Sequence, residues 1–97
     1  MAHLRWTLQA ADDLESIVGF IAQDSPHYAR LFAIRIFDAI ERLEPFPRSG
    51  RIVPESGNPS IREVIHGNYR IIYRVREDVV ELLAVHHGAR PLDPTRL

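Results

Sequence analysis

Seven consecutive residues, Tyr69-Arg70-Ile71-Ile72-Tyr73-Arg74-Val75, constrain this chain more than any other stretch. Successive side chains of a strand point to opposite faces, so Tyr69, Ile71, Tyr73 and Val75 share one side. Aromatic and β-branched residues favour strands, which supports that reading. The opposite side carries Arg70, Ile72 and Arg74. The first side reads as core. The second mixes guanidinium groups with aliphatic surface, and what it meets is the question the sequence poses.

The elements before this strand can be read in order. His3-Leu4-Arg5-Trp6 alternates and predicts a short opening strand. Thr7 suits the N-cap of a helix starting at Leu8, with Asp12 and Asp13 expected to favour its positive end. Ala10, Ala11, Leu14, Ile17, Val18, Ile21 and Ala22 fall in one arc at helical spacing, with Phe20 at its edge beside Asp13. Asp24-Ser25-Pro26 breaks the helix and starts another, Ser25 as N-cap and Pro26 at the first helical position. This second helix is expected to reach Glu44, where Pro45 stops it. Its apolar side holds Tyr28, Ala29, Phe32, Ala33, Ile36, Phe37, Ala39, Ile40 and Leu43, while Leu31 and Ile34 lie outside it among charged residues. The short link predicts an antiparallel helical hairpin. Residues 45–60, with four prolines and two glycines, read as a long loop carrying Arg48 and Arg51.

Ile61–Ile65 forms the next predicted strand, joined to the central one by a Gly67-Asn68 hairpin turn. That register places Val64 opposite Ile71, Arg62 opposite Tyr73 and His66 opposite Tyr69. A turn at Glu77-Asp78 leads into Val79–His87, expected to pair Tyr73 with Leu82, Ile71 with Ala84 and Arg74 with Glu81. One sheet face then gathers Val64, Tyr69, Ile71, Tyr73, Val75, Val80, Leu82 and Ala84 against the helices. The other gathers Ile61, Ile65, Ile72, Leu83 and Val85 with Arg70, Arg74, His87 and Arg90. Too apolar for water and too charged for a core, this second face is expected to bind something. The predicted architecture is α+β: β-α-α-β-β-β, a largely antiparallel four-stranded sheet packed on an N-terminal helical hairpin, in one domain spanning residues 1–97.

Much chemistry is absent. No glycine-rich phosphate loop and no serine nucleophile elbow occurs. There is no cysteine, and adjacent His86 and His87 point to opposite faces of a strand, so neither a metal nor another cofactor is expected. No apolar run is long enough to span a membrane and no secretory signal precedes the domain, which leads us to expect a cytoplasmic protein. The formal net charge is −1, and every basic residue is arginine. Residues 1–45 hold four arginines against seven acids, and residues 46–97 hold eight against six. His87 beside Arg70 and Arg90 would be the composition for phosphodiester cleavage, arginine stabilising phosphorane charge and histidine moving a proton.

Several of these segments together carry a family likeness. The strand ending in Trp6, the Ala11-x-x-Leu14-x-x-Ile17 helix and Phe46-Pro47-x-x-Gly50-Arg51 are the first. Ile61-Arg62-Glu63, the Tyr69–Val75 strand and His86-His87-Gly88-Ala89-Arg90 complete them. From about residue 4 to residue 92 the chain resembles the ParE/RelE toxin superfamily. The resemblance implies the toxin of a type II toxin–antitoxin pair, of the kind linked to plasmid stabilization. It also implies that the C-terminal segment of a cognate antitoxin wraps and neutralises it.

RelE-like members cleave mRNA on the ribosome, whereas ParE-like members are associated with poisoning DNA gyrase. Arg70 and Arg90 match arginines of the RelE type. Lysines expected on the preceding strand are replaced by Ile61 and Glu63, and no tyrosine follows Tyr73. A net charge of −1 also suits a phosphate-rich target poorly. The resemblance therefore favours a ParE-like gyrase inhibitor without chemistry of its own. The alternatives are an mRNA endonuclease using Arg70, His87 and Arg90, or a degenerate toxin that only binds its antitoxin. Residues expected to meet antitoxin or target are Arg70, Ile72, Arg74, Leu83, Val85, His87 and Arg90 on the sheet, with Phe20, Leu31 and Ile34 on the helices.

Overall fold

A computed structural model describes residues 1–97. The elements are β1 (His3–Trp6), α1 (Leu8–Asp24), α2 (Pro26–Glu41), β2 (Arg51–Ile52), β3 (Ile61–His66), β4 (Tyr69–Arg76) and β5 (Val79–His87), with a short 3₁₀ turn at Pro94–Arg96. They form one five-stranded sheet in the order β1-β5-β4-β3-β2. All neighbouring strands are antiparallel except β1, which runs parallel to β5. The expected four strands are therefore joined by a fifth, β2, inside the segment read as loop.

Local chemistry sets the helix starts as expected. The Thr7 hydroxyl oxygen accepts the Ala10 N–H at 3.1 Å, and its O–H donates to the Leu82 carbonyl at 2.7 Å, tying the helix cap to β5. Ser25 accepts the Tyr28 N–H at 3.1 Å with Pro26 following it. Two details of the helices differ from expectation. Asp12 and Asp13 lie beyond the first turn of α1, and Asp13 Oδ2 accepts the Val85 N–H of β5 at 3.1 Å. α2 ends at Glu41, three residues early. Bonds from Leu43 N–H to the Ile40 carbonyl and from Glu44 N–H to the Glu41 carbonyl tighten the chain ahead of Pro45, which disfavours helical backbone in the residue before it.

The β3–β4 hairpin has the expected register, with Val64 opposite Ile71, Arg62 opposite Tyr73 and His66 opposite Tyr69. Gly67 supplies the left-handed backbone (φ 57°) that the tight turn needs. Between β4 and β5 the register slips. Tyr73 faces Leu82 and Arg74 faces Glu81 as expected, but Ile72 faces Ala84 and Ile71 faces Val85. Leu83 is the extra residue of a bulge, and beyond it every β5 side chain changes faces. Val85 thus joins the helix-side core, and Ala84 joins the opposite face.

The helix-side core packs Ala10, Leu14, Phe32, Ile36, Ile40 and Leu43 on Ile71, Tyr73, Val75, Val80 and Leu82. Phe37 and Tyr28, counted on the apolar side of α2, remain half exposed, although the Phe37 ring lies 5.7 Å from that of Trp6. On the other side of the sheet lies a second, smaller core of Val53, Ile61, Ile72 and Ala84, covered further by Leu83, Leu92 and Leu97. The chain itself thus covers much of the face expected to await a partner. Residues 45–60 fold back onto β3, and residues 91–97 onto β4 and β5. Gly50 makes the first of these possible. Its N–H donates to the Tyr73 hydroxyl at 2.9 Å, and a Cβ there would sit 2.6 Å from that oxygen and 2.5 Å from the Glu63 carbonyl. No helix is long and apolar enough to cross a membrane.

Candidate functional site: a closed arginine–carboxylate cluster and an adjoining groove

Alternation in β3 puts Glu63 on the same face as Ile61, beneath residues 51–55. Only 1% of Glu63 is exposed. An unpaired carboxylate in such a place would be strongly disfavoured, and two guanidinium groups pair it. Arg70 Nε donates to Oε1 at 2.5 Å, and Arg51 Nε to Oε2 at 2.6 Å. Arg70, 9% exposed, is gripped from its other edge by Glu55, with Nη1 to Oε2 at 2.8 Å and Nη2 to Oε1 at 2.7 Å. That fork-on-fork geometry is the strongest arrangement open to arginine and a carboxylate. The hydrogen bonds from Arg70 hold the Glu55 carboxyl far below its usual range, at about 2. The same pairing, with Glu55 foremost, raises the Arg70 pKa further above its already high value.

Alternation in β4 makes Arg70 an expected surface arginine. Its three nitrogens are instead all engaged within the chain. Arg74 donates through Nη2 to the Leu97 carbonyl at 3.1 Å and lies 4.0 Å from Glu81. Ile72 is fully buried and Leu83 partly covered, both in the second core. Arg62 turns away from the cluster and donates to the Gly50 carbonyl at 2.9 Å.

The bulge relocates His87. Its partner across the sheet is Tyr69, and the two rings meet edge to face at 5.1 Å, so it leaves the Arg70/Arg74 face to which simple alternation assigns it. His87 Nδ1 accepts the Ala89 N–H at 3.1 Å, which leaves Nε2 to carry the proton of the neutral ring. Tyr69 and His87 form a ridge between two depressions. One, of about 460 Å³, lies over the cluster and is lined by Arg51, Glu55, Asn68, Arg70 and Gly88. The other is a groove of about 920 Å³ between α1 and the end of β5, lined by Asp13, Ile17, Phe20, Val85 and Arg90 among others. Phe20 is 69% exposed there. Burial raises the Asp13 pKa, an effect the Val85 N–H only partly offsets. Leu31, half buried, and Ile34, exposed, sit on α2 and line neither depression.

Of the residues expected to act together, Arg70 and His87 border the same shallow pocket, and His87 and Arg90 the same groove. Arg70 and Arg90 share neither of these two depressions. Glu63, Glu55 and Asp13 are the residues that sequence reasoning missed as site-builders. Glu63 left a signal, an acid on the apolar face beside Arg70. Glu55 left none, because its approach depends on the path of a loop. No group of histidines and acids is arranged to hold a metal. Two opposed pairs of charges make the cluster neutral: it can hold a loop and orient Arg51, but it offers no unpaired guanidinium on Arg70 to a phosphate.

A helical hairpin against a mostly antiparallel sheet with a parallel edge strand, a sheet face closed by its own loop and an open groove beside α1 define a small α+β domain. Residues 4–92 match the family model of the ParE toxin of the type II toxin–antitoxin system parDE, and the chain belongs to that family. A curated relative from Sinorhizobium fredii, named "Putative toxin Y4kP", is 37% identical over 87 residues, covering 88% of this chain and 86% of that one. A solved chain described as a chromosomal ParDE TA system from P. aeruginosa has the same fold. Its TM-score is 0.72 at 23% identity, over 90% of this chain and 96% of that chain.

Glu55 has a folded pKa below its ordinary one, so its stabilisation is complete above about pH 4.5 and is lost as pH falls through about 2. Glu55→Gln should lower stability at neutral pH by about 1 kcal/mol, discounted for a side chain one-third exposed to solvent. It should also flatten the acid limb between those two pH values. Urea unfolding from pH 7 to pH 2 checks both; an acid limb identical in the variant would show that Glu55 is not paired.

Proposed function

We propose that this chain is a toxin that stops growth by binding and poisoning DNA gyrase, without cleaving a substrate, and that a cognate antitoxin neutralises it. The observation that supports this most is the closure of Arg70 by Glu55 and Glu63. A nuclease of this fold would use that arginine to stabilise charge developing on phosphate, and such stabilisation requires donors that are free and aimed at the reacting oxygen. The β5 bulge argues the same way, because it turns His87 against Tyr69 and leaves it meeting Arg70 only at the rim of one shallow pocket. Membership in the ParE toxin family favours the gyrase reading over the mRNA one.

For the antitoxin, the groove beside α1 is the best-suited surface. It joins the exposed Phe20 ring and Ile17 to Arg90 and Arg96, an arrangement that suits an amphipathic segment with apolar anchors and acidic flanks. Ile34 and Leu31 on α2 would meet a continuation of that segment around the hairpin.

Two experiments test this reading. Induced in a bacterial host, the chain should provoke DNA breaks and the SOS response with no codon-positioned mRNA cuts; cuts without breaks would replace it with the endonuclease reading, and normal growth would mark a toxin that only binds its antitoxin. Phe20→Glu should weaken binding of the antitoxin by at least about tenfold, the order expected for losing one aromatic anchor. Unfolding should be unaffected, because the ring is exposed. An unchanged affinity, measured by calorimetry, would move the antitoxin to another surface.

A further inference from the structure

The two carboxylates that hold Arg70 are not equivalent. Glu63 is fixed on β3 and sealed from water. Glu55 sits on a solvent-facing turn, its side chain 34% exposed, in a segment closed by the Ser56 N–H and hydroxyl on the Val53 carbonyl and by Gly57 at φ 63°. Arg70 thus has one permanent partner and one on a short tether at the edge of an open pocket. The Arg51 side chain, 62% exposed, borders the same pocket with its Nε tied to Glu63, and the Asn68 side and His87 complete the rim.

We propose that this pocket is a carboxylate-exchange site: an acidic side chain of the polypeptide that neutralises the toxin displaces Glu55 and takes its bidentate place on Arg70. This rests on the antitoxin reading above for the identity of the partner, though not for the chemistry of the site. Exchange of one carboxylate for another leaves the charge around the guanidinium unchanged and returns Glu55 to water, so the buried pair with Glu63 is never broken. A second carboxylate added without displacement would face Glu55 and Glu63 together and be repelled. Inorganic phosphate, largely dianionic at neutral pH, carries more charge than the vacated position balances, and the neutral cluster has no surplus positive charge to attract it over distance. The occupant that fits is a single glutamate or aspartate in an extended or helical segment crossing the Tyr69–His87 ridge from the groove.

The full chain, labelled with ¹³C and ¹⁵N, is titrated with an acetylated tri-glutamate peptide while the Glu55 and Glu63 carboxyl carbons and the Arg70 Nε–H are followed by NMR. The Glu55 and Arg70 signals should move together while the Glu63 signal stays. Glu55→Ala, with the place already vacant, should bind the peptide about tenfold more tightly, the scale set by removing an intramolecular competitor. Glu55→Gln should do the same if the alanine variant unfolds. Peptide binding that leaves Glu55 and Arg70 unmoved, or equal affinity in wild type and variants, would overturn the proposal. So would inorganic phosphate binding the wild type better than the peptide does. Because no antitoxin is used, none of these results bears on whether the chain has one.

Discussion

The buried carboxylate of Glu63 is the interaction on which the rest of this structure depends. A charge so fully removed from water is tolerable only when its lone pairs are matched by donors, and here two arginines from different parts of the chain match them. Arg51 brings residues 45–60 onto the edge of the sheet, where Arg51 and Ile52 pair with Glu63 and Arg62 as a fifth strand. Arg70, anchored from below, presents its remaining nitrogens to Glu55, which fastens the far part of the same loop. Val53, carried between these two attachments, then seals Ile61, Ile72 and Ala84 into a second core. The order of cause runs from one charge to a loop, and from the loop to a closed sheet face.

That closure bears on chemistry. The central strand carries an arginine, a group suited to phosphate, but an arginine with all three nitrogens hydrogen-bonded to carboxylates cannot also stabilise a phosphorane. Lysines in place of Ile61 and Glu63 would leave the face open and positive; Glu63 makes it closed and neutral. The available surface shifts across the Tyr69–His87 ridge to the groove along α1, where apolar and basic groups remain accessible. In this ParE-family chain the open surface is therefore the groove, and the arginine of the central strand belongs to the closed face.

Much of the fold was legible in the sequence because its determinants are local. Thr7 and Ser25 cap helices, Gly67-Asn68 sets a hairpin, and strict alternation in β4 aligns β3 with it residue for residue. Three things were not legible, for related physical reasons. The bulge at Leu83 lies in the uninterrupted apolar run Leu82–Val85, where no polar residue betrays a change of face, so His87 could be assigned only by the simple period. The strand Arg51–Ile52 is two residues long and owes its existence to a side-chain ion pair twelve residues away rather than to its own propensity. Arg70 and Arg74 read as surface residues because alternation reveals which side a residue faces, but not whether a distant loop or the segment near Leu97 will cover that side.

The claim that Glu63 and Arg70 stabilise one another as a buried unit is tested most directly by a double-mutant cycle with Glu63→Gln and Arg70→Met, read by urea unfolding at pH 7. Each single substitution leaves a buried charge short of its partner and should cost about 3 kcal/mol. The double variant should lose less than the sum of the two by at least about 1 kcal/mol, the signature of direct coupling. Strict additivity would contradict the account: the two side chains would then act independently, and the closed sheet face would need another cause.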